Sequence, residues 1–377
     1  MKFSINKSEF VKRIEINNKA ISGATLNDVL KGLKITLLDG EMTIVSASTE
    51  LSIKTTTRKD EKNNLAILEE GEIIVANAAY FTDILKRLSG TMVDFEVVNG
   101  NQIKISGGQA EFFIPARNAA NFPNLPVIDD TKIMTISSPQ LLNVIKETIK
   151  SAGIKDTRPI FQGLHFLISE HELKGIATDS HRLAQKIIPI ENGADVDAVV
   201  PYRTLNELAS MLPTLPFVKL QFDEVYLVTD MEDVIFYTQL IVGDFPNTDR
   251  LIPEEYITTV TVDVADLMPV VERAHLAAKQ SNNVVITWNM KDGDLTITTR
   301  QTEAGSFKEG VQLKTFEGEN LTISMNPEFI KDAVNSLGQD IVEIGFTGNL
   351  RPFTIKPVGE KDNNNLQLIT PVRTINS

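Results

Sequence analysis

Asp179 and His181, separated by a single residue, form the pair of side chains that most invites an acid–base interpretation. In many hydrolases such a pair activates a serine in a Gly-x-Ser-x-Gly turn, and this pattern is absent from the sequence. No His-Glu-x-x-His spacing occurs among the histidines either, so no zinc site is predicted. The histidines are His165, His171, His181 and His275. We therefore expect a protein that is not an enzyme and that needs no cofactor or metal.

The composition excludes further kinds of chemistry. The 377 residues include no cysteine, which removes disulfides, thiolate catalysis and cysteine-bound zinc. Neither the Gly-x-x-x-x-Gly-Lys-Ser/Thr nor the Gly-x-Gly-x-x-Gly pattern occurs, so the chain has no recognisable nucleotide cradle. The net charge is −13, whereas a protein that holds DNA by phosphate neutralisation alone is expected to be basic. DNA binding would therefore require basic groups gathered on one surface.

Length and hydropathy set the broad class. At ~150 residues per domain the chain should form two or three domains. Its 42% hydrophobic and 23% charged residues are typical of a globular protein. No apolar run reaches the ~18 residues that span a bilayer, and the first residues lack the pattern of a signal peptide. We expect a cytoplasmic protein that does not associate with membranes.

Two helix patterns each occur three times along the chain. The clearer one has apolar residues at i, i+3, i+4 and i+7, and its copies start 124 and 125 residues apart. Its members are Phe81, Ile84, Leu85 and Leu88; Leu205, Leu208, Ala209 and Leu212; and Ile330, Ala333, Val334 and Leu337. The other pattern starts at Phe10, Leu141 and Leu267, at intervals of 131 and 126 residues. One such stripe is common, but three at nearly constant spacing indicate an internal repeat.

Alternating β-strand patterns flank the second helix of each copy and also lie between its two helices. Asp39-Gly40 and Asp292-Gly293 each separate two such runs, and Asx-Gly is a strong hairpin signal. Each copy is therefore predicted to be an α+β unit of two helices packed on antiparallel sheets. The Phe-Pro-Asn motifs at 122–124 and 245–247 mark equivalent connections between units. The predicted domains are 1–125, 126–252 and 253–377.

Three local motifs add to the repeat. They are Ala-Thr-Asp-Ser-His-Arg-Leu-Ala at 177–184, Gly-Asp-Phe-Pro-Asn at 243–247 and Leu-Ile-Thr-Pro-Val-Arg at 368–373. Together with the threefold repeat, they make the whole chain resemble the β subunit of bacterial DNA polymerase III, the β sliding clamp family. Ser180 stands where that family usually has glycine, and the chain extends a few residues past Arg373.

The resemblance implies a processivity factor that encircles duplex DNA. In that family two chains pair head to tail through unlike surfaces, and six domains form a ring with helices inside and sheets outside. The motif match assigns Phe112 and Ile114 of the first domain and Leu276 of the third to this joint. The implied partners are double-stranded DNA without sequence preference, a second copy of the chain, the replicative polymerase α subunit, the clamp loader, other polymerases, mismatch-repair proteins and ligase.

A ring that retains DNA by enclosure needs only a weak, non-specific attraction, which agrees with the acidic net charge. Lysines and arginines are concentrated on the repeated helices and at their ends. The candidates for DNA contacts are Lys86, Lys150, Lys155, Arg158 and Arg203. The resemblance favours Lys155, Arg158 and Arg203, which match family positions at or beside DNA contacts. Arginines that the family often has in the first domain are replaced by Thr25-Leu26 and Ala79, so weaker DNA contacts are expected there.

The resemblance also implies an apolar groove between the second and third domains that accepts a short linear peptide from partner proteins. Such a groove needs apolar walls and a few hydrogen-bond donors. The matching positions are Phe161, Thr178, His181, Arg182, Leu183, Pro246, Arg250, Leu251, Leu368, Thr370, Pro371, Val372 and Arg373. Taken singly, Leu183, Leu251 and Leu368 are more simply explained by core packing. Their joint occurrence in the three motifs favours the pocket.

Two alternatives remain open. A repeat scaffold that binds proteins without encircling DNA would have the same fold and the same acidic charge. A hydrolase or transferase would need a convergent nucleophile and base, which the sequence does not display.

Overall fold

The computed structural model describes two compact units. One consists of Met1–Ser138 and Ser210–Leu240, and the other of Pro139–Ala209 and Ile241–Ser377. The described residues are 1–22, 25–127, 133–191, 193–280, 284–303, 305–359 and 364–374. Within these ranges no helix combines the length and the apolar character needed to cross a membrane.

The order of elements repeats three times, as a leading strand, a helix, a group of strands, a second helix and three final strands. The first copy contains β1 Lys2–Asn6, α1 Lys7–Asn18, β2 Leu33–Leu38, β3 Glu41–Ala47, β4 Leu51–Arg58, β5 Ala66–Glu69, β6 Gly71–Val75, α2 Ala78–Arg87, β7 Met92–Val98, β8 Gln102–Gly107 and β9 Ala110–Arg117. The second contains β10 Ile133–Ser137, α3 Ser138–Thr148, β11 Gly163–Ile168, β12 Glu172–Thr178, β13 Arg182–Pro189, β14 Val196–Pro201, α4 Tyr202–Met211, β15 Phe217–Phe222, β16 Tyr226–Met231 and β17 Val234–Gln239.

The third copy contains β18 Thr258–Asp263, α5 Val264–Ala278, β19 Ile286–Lys291, β20 Asp294–Thr299, β21 Lys308–Val311, β22 Thr315–Gly318, β23 Leu321–Met325, α6 Pro327–Leu337, β24 Ile341–Phe346, β25 Phe353–Pro357 and β26 Asn365–Ile369. The predicted α+β repeat is confirmed. The sequence patterns missed the leading strands β1, β10 and β18, which directly precede the first helix of each copy.

The unit formed by Met1–Ser138 and Ser210–Leu240 is built on one antiparallel sheet, in the order β10-β15-β16-β17-β4-β3-β2-β6-β9-β8-β7-β1-β5. The final strands of the second copy continue the sheet of the first copy, because β17 pairs with β4 and Phe236 lies opposite Ile53. Phe10 of α1 and Phe81 of α2 meet over the core with ring centroids 5.7 Å apart. The predicted stripe of α2 is buried, as a face packed on a sheet requires.

Both predicted hairpins are confirmed. Asp39 and Gly40 join β2 to β3 with φ of 51° and 77°, and Asp292 and Gly293 join β19 to β20 with φ of 52° and 94°. Positive φ at both central residues is the geometry of a type I′ turn, whose twist matches that of the paired strands.

The unit formed by Pro139–Ala209 and Ile241–Ser377 contains a sheet in the order β14-β11-β12-β13-β26-β25-β24-β18-β22 and a second in the order β21-β20-β19-β23. β13 of the second copy pairs antiparallel with β26 of the third. Glu147 at the end of α3 supports this ladder, since its carboxylate accepts from Asn365 Nδ2 at 2.5 Å and lies 3.0 Å from Lys186 Nζ. The Gln367 amide donates to the Glu147 carbonyl at 2.7 Å. The two copies are thus joined by backbone and side-chain bonds.

Helix α6 is defined at both ends by local chemistry. The Asn326 side chain accepts the N–H of Glu328, and Pro327 occupies the first helical position. Gly338 ends the helix in the left-handed conformation, with φ of 61°. The buried stripe that starts at Ile330 packs into the core of the third copy, so residues beside the stripe are presented at the helix flank.

Gly163, at the start of β11, should not tolerate a side chain. A Cβ at this position would collide with the Val200 carbonyl oxygen of the neighbouring strand β14, which is backbone and cannot rotate away. We expect Gly163→Ala to lower the free energy of unfolding by about 1–3 kcal/mol, as overpacking does. Urea unfolding measures this loss. Gly310→Ala is the matched control, because its nearest atom would be 3.9 Å away; equal stabilities of the two variants would contradict the prediction.

Candidate functional site

A tight turn at 179–181 joins β12 to β13 and lies at the centre of the 177–184 motif. Asp179 Oδ1 accepts the backbone N–H groups of His181 at 2.9 Å and of Arg182 at 3.0 Å. Thr178 Oγ1 donates to the Arg182 carbonyl at 2.6 Å and accepts from the Ser180 N–H at 3.1 Å. The Asp179 carboxylate therefore shapes the turn.

The floor of the candidate site is apolar. Leu183 on β13 lies opposite Leu368 on β26 in the strand register. These two side chains and Ile176 are buried together, and Leu167 and Phe245 pack against them. The structure thus brings the 177–184 and 368–373 motifs into one cluster. Because Leu183 and Leu368 are almost fully buried, they support the floor more than they offer free surface.

Aromatic side chains extend this floor toward the 243–247 motif. Phe161 is the last residue of a short 3-10 helix, Pro159–Phe161, and its ring centroid lies 6.0 Å from that of Phe245 in an edge-to-face arrangement. Phe245 also stacks on His165, with centroids 4.4 Å apart. Pro246 follows at the surface. Phe245 was not predicted as a pocket residue, although its position within the 243–247 motif could have indicated this role.

Arg182 links the turn to α6. Its Nε lies 3.1 Å from Asp179 Oδ2 and its Nη1 lies 2.6 Å from Asp332 Oδ2. The guanidinium also lies over the Phe329 ring, 4.6 Å from its centroid. Sequence reasoning missed Phe329 and Asp332. The available signal was an aromatic residue, Phe329, just outside the apolar stripe of α6.

The C-terminal segment runs beside the turn. The Thr370 N–H donates to the His181 carbonyl at 2.8 Å, and the Val372 N–H donates to the Ser324 carbonyl at 2.7 Å. Pro371 is buried and Arg373 is exposed. The predicted pocket residues from the two distant motifs are therefore adjacent in space.

Arg250 and Leu251 lie on a short 3-10 helix, Asp249–Leu251. A salt bridge of 2.6 Å from Lys174 Nζ to Asp249 ties this helix to β12. Arg250 and Leu251 line an open cleft of about 490 Å³ together with residues 253–257, 347 and 351–352. Leu251 is 53% exposed, so it presents apolar surface there.

The predicted DNA-contact residues fall into two groups. Lys150, Lys155 and Arg203 are exposed, and their side chains have no hydrogen-bond or ion-pair partner in the part of the chain that the structure describes. Lys86 instead lies 2.6 Å from Glu15, which leaves it a weaker attractant for phosphate. Arg158 is also paired: it forms a two-point contact with Asp156 at 2.8 and 3.0 Å.

Other helix cations of the first copy also have partners. Their salt bridges, with the N–O distances, are Lys12–Glu9 at 2.8 Å, Arg13–Asp233 at 2.9 Å and Arg87–Asp83 at 2.8 Å. Lys19 Nζ donates to the Ser210 hydroxyl at 2.8 Å. Within the described residues, unpaired helix cations therefore belong to the second and third copies, where Lys146, Lys279 and Lys331 add to those above.

The residues assigned to the dimer joint differ in accessibility. Ile114 is buried in the core of the first copy and Phe112 is partly buried against it. Phe113, between them, is 53% exposed, and Leu276 on α5 is 67% exposed. The free aromatic surface on β9 is therefore that of Phe113.

No group of three or more histidine, aspartate or glutamate side chains that could hold a metal ion occurs within the described ranges.

Three copies of one α+β unit, each with a pair of helices on antiparallel strands, are the architecture of a DNA clamp. Family sequence models for the DNA polymerase III β subunit match the N-terminal domain at residues 1–126, the central domain at 135–247 and the C-terminal domain at 249–373. The chain belongs to the DNA polymerase III β subunit family. As such it is a sliding clamp, a non-catalytic processivity subunit.

Relatives and solved structures cover nearly the whole chain. The beta sliding clamp of Streptococcus pneumoniae strain R6 is 34% identical over 376 residues, 99% of both chains. That of Bacillus subtilis strain 168 is 31% identical over 379 residues, 99% of this chain and 100% of the relative. The crystal structure of the DNA polymerase III β chain from S. pneumoniae TIGR4 matches with a TM-score of 0.96 at 33% identity, over 99% of this chain and 100% of that one. The B. subtilis sliding clamp structure matches with a TM-score of 0.93 at 31% identity, over 99% of both chains.

His165 should make the stability of this region depend on pH. It is buried, its Nε2 lies 2.7 Å from Asp197, and its Nδ1 has no described partner. Burial lowers the pKa of His165 below its ordinary value, and the bond to Asp197 offsets this only in part. As the pH falls, His165 is therefore protonated in the unfolded chain at a higher pH than in the folded chain. The contribution of His165 to stability falls as the pH drops below about 6.5.

His165→Phe keeps an aromatic ring against Phe245 and removes the titrating group. Between pH 7 and pH 5, the difference in unfolding free energy between wild type and variant should move in favour of the variant. Chemical denaturation across this range measures it. Parallel pH profiles for the two proteins would show that His165 does not carry this dependence.

Proposed function

We propose that two copies of this chain close head to tail into a six-domain ring around duplex DNA, and that a pocket on each chain captures short peptide segments of partner proteins. The domains are proposed to span 1–125, 126–252 and 253–377. The observation that carries the proposal is the threefold repeat of a helix pair backed by antiparallel strands. A ring of such units gives one helical inner surface and one outer sheet surface.

The peptide pocket is supported by the convergence of the three motifs. Leu183 and Leu368 supply an apolar floor with Ile176. Arg182, only 14% exposed at its side chain, is fixed by two carboxylates and an aromatic ring. A fixed guanidinium at the edge of an apolar surface is suited to bonding the carbonyl groups of a peptide whose Leu and Phe side chains enter the apolar part.

DNA attraction is proposed to come from Lys150, Lys155 and Arg203, which are exposed and unpaired within the described residues. Arg158 and Lys86 are held by carboxylates and should contribute less. An enclosed duplex needs few such contacts, since topology prevents its escape while weak phosphate attraction leaves sliding free. The net charge of −13 is compatible with this arrangement.

The head-to-tail joint is supported by two strand edges. β9 pairs with β8, but its segment Ala110–Ile114 has no strand on its other side among the described residues. β21 likewise pairs with β20 alone within the described part of the third copy. Unpaired edges invite a further strand. We propose that β9 of one chain adds to β21 of the other, with Phe112, Phe113, Ile114 and Leu276 beside the seam.

The proposed partners are duplex DNA, a second copy of the chain, the polymerase α subunit, the clamp loader, and other polymerases, mismatch-repair proteins and ligase. A cytoplasmic location accompanies this set of partners.

Replacing Lys150, Lys155 and Arg203 together with alanine should weaken retention on DNA. The clamp is loaded on nicked circular plasmid by a bacterial clamp loader, and the retained fraction is measured across a salt titration. Removing one phosphate interaction should flatten the dependence of log K on log salt by about 0.9. The control is the triple variant of Lys2, Lys31 and Arg58, which removes the same charge from residues paired with carboxylates.

Wild-type protein should leave the plasmid once the plasmid is linearised. A protein scaffold that forms no ring would be retained equally on circular and on linear plasmid. Light scattering on each variant checks that the dimer is intact. Retention that is unchanged by the triple substitution at every salt concentration would remove these three residues from the proposal.

A peptide with a Gln-Leu-x-Leu-Phe sequence should bind the wild-type chain. Arg182→Ala and deletion of residues 370–377, of which 375–377 lie outside the described residues, should each weaken binding about tenfold or more, because each removes a wall of the pocket. Fluorescence anisotropy measures the affinities, and thermal melts confirm folding. Arg58→Ala, at an exposed ion pair with Glu41, is the control. Equal affinity of the wild type and both pocket variants would rule out this pocket.

A further inference from the structure

Arg158 is held in place by groups from two separate parts of the chain. Its Nε and Nη2 contact the Asp156 carboxylate at 3.0 and 2.8 Å, and its Nη2 also donates to the Ser180 hydroxyl at 2.8 Å. The guanidinium lies over the Phe161 ring, 4.2 Å from its centroid. Phe161 in turn packs against Phe245 of the pocket. Arg158 therefore belongs to the aromatic wall of the pocket.

Ser180 has an unusual backbone for a serine. Its φ is 72°, in the left-handed region that residues with a Cβ adopt at a cost and that glycine adopts freely. The Thr178 and Asp179 side chains shape the turn by accepting backbone N–H groups. In these bonds Ser180 takes part through its backbone N–H and not through its hydroxyl. The described partner of the Ser180 hydroxyl is Arg158. A glycine would satisfy the turn equally well but would lose this bond.

We propose that Ser180 is a positioning residue of the peptide pocket, whose hydroxyl holds the Arg158 guanidinium over Phe161. The inference rests on the proposed pocket. It assigns Ser180 a role in affinity for peptides that carry apolar anchors, although Ser180 itself need not touch them.

Ser180 adds a constraint on Arg158 that Asp156 does not provide. Asp156 and Arg158 lie on the same loop, so their contact moves with that loop. Ser180 lies on the turn between β12 and β13, and its bond to Arg158 joins the loop to the turn that also carries Arg182. Asp156 and Ser180 together use Nε and Nη2, which leaves the Nη1 donors of Arg158 without a described partner. Those donors can bond a carbonyl oxygen of a docked peptide.

Two substitutions separate the hydroxyl from the backbone. Ser180→Gly removes the hydroxyl and relieves the backbone, whereas Ser180→Ala removes the hydroxyl and keeps the Cβ. Both should weaken binding of the Gln-Leu-x-Leu-Phe peptide to the full-length chain about fivefold, the equivalent of one hydrogen bond. Ser180→Asn should retain affinity, because asparagine tolerates the left-handed region and its side-chain oxygen can accept from Arg158.

The melting temperature distinguishes a positioning role from a purely structural one, because loss of a structural contact would lower the melting temperature together with the peptide affinity. Ser180→Gly should melt at the same temperature as wild type or higher, while its peptide affinity falls. Glu232→Gly, at another positive φ of 64° in the hairpin between β16 and β17, is the matched control. It should relieve a similar backbone conformation without changing peptide affinity. Loss of both melting temperature and affinity in Ser180→Gly would overturn the positioning role.

A double-mutant cycle tests the route through Arg158. In an Arg158→Ala background, Ser180→Gly should cause no further loss of affinity. If wild type binds and Ser180→Gly binds equally well, or if the two losses simply add, the inference is wrong while the pocket stands. If wild type itself does not bind the peptide, the proposed pocket fails.

Discussion

The antiparallel pairing of β13 with β26 is the interaction on which the candidate site depends. It brings strands from the second and third copies together, so that Leu183 lies opposite Leu368 and the Thr370 N–H reaches the His181 carbonyl. Backbone ladder bonds fix this register, and a slip of β26 by one residue would turn Leu368 to the opposite face, away from Leu183. Glu147 bonds to Lys186, Asn365 and Gln367 across the same strand pair. Apolar floor, turn and C-terminal segment are therefore positioned by one ladder.

The distribution of charge is compatible with the proposed attraction of DNA by an acidic chain. Salt bridges between exposed groups contribute little to stability, but they do decide which cations remain available to a ligand. The helix cations Lys12, Arg13, Lys86 and Arg87 of the first copy are paired with carboxylates, Lys7 bonds to the Leu88 carbonyl and Lys19 bonds to a hydroxyl. Lys150, Lys155 and Arg203 have no partner within the described residues. Arg158 differs from these three residues because it is paired with Asp156. Its guanidinium is held by Asp156 and Ser180, lies over Phe161 and forms part of the wall of the proposed pocket. The Asp156 pKa falls to about 2 because Arg158 bonds to its carboxylate.

Much of the fold could be predicted from periodicity and turn chemistry, since these act locally. The stripes that start at Phe81, Leu205 and Ile330, and the Asp-Gly turns, correspond to helices and hairpins of the structure. The leading strands were missed because five or six residues beside a helix give too short an alternation to detect. In the candidate site, Leu183 and Leu368 were identified by motif, but Phe329 and Asp332 were not, since their relation to Arg182 spans about 150 residues of chain.

The sequence by itself determined the threefold repeat, the α+β class, the absence of cysteine chemistry and the family resemblance, because each depends on residue identity and spacing along the chain. Only the tertiary structure decided which cations are paired, that Ile114 is buried while Phe113 is exposed, and that Arg158 contacts Ser180 and Phe161. Those properties depend on which strands and loops lie side by side. Such long-range neighbours follow from packing of the whole unit and leave no periodic signal in the sequence.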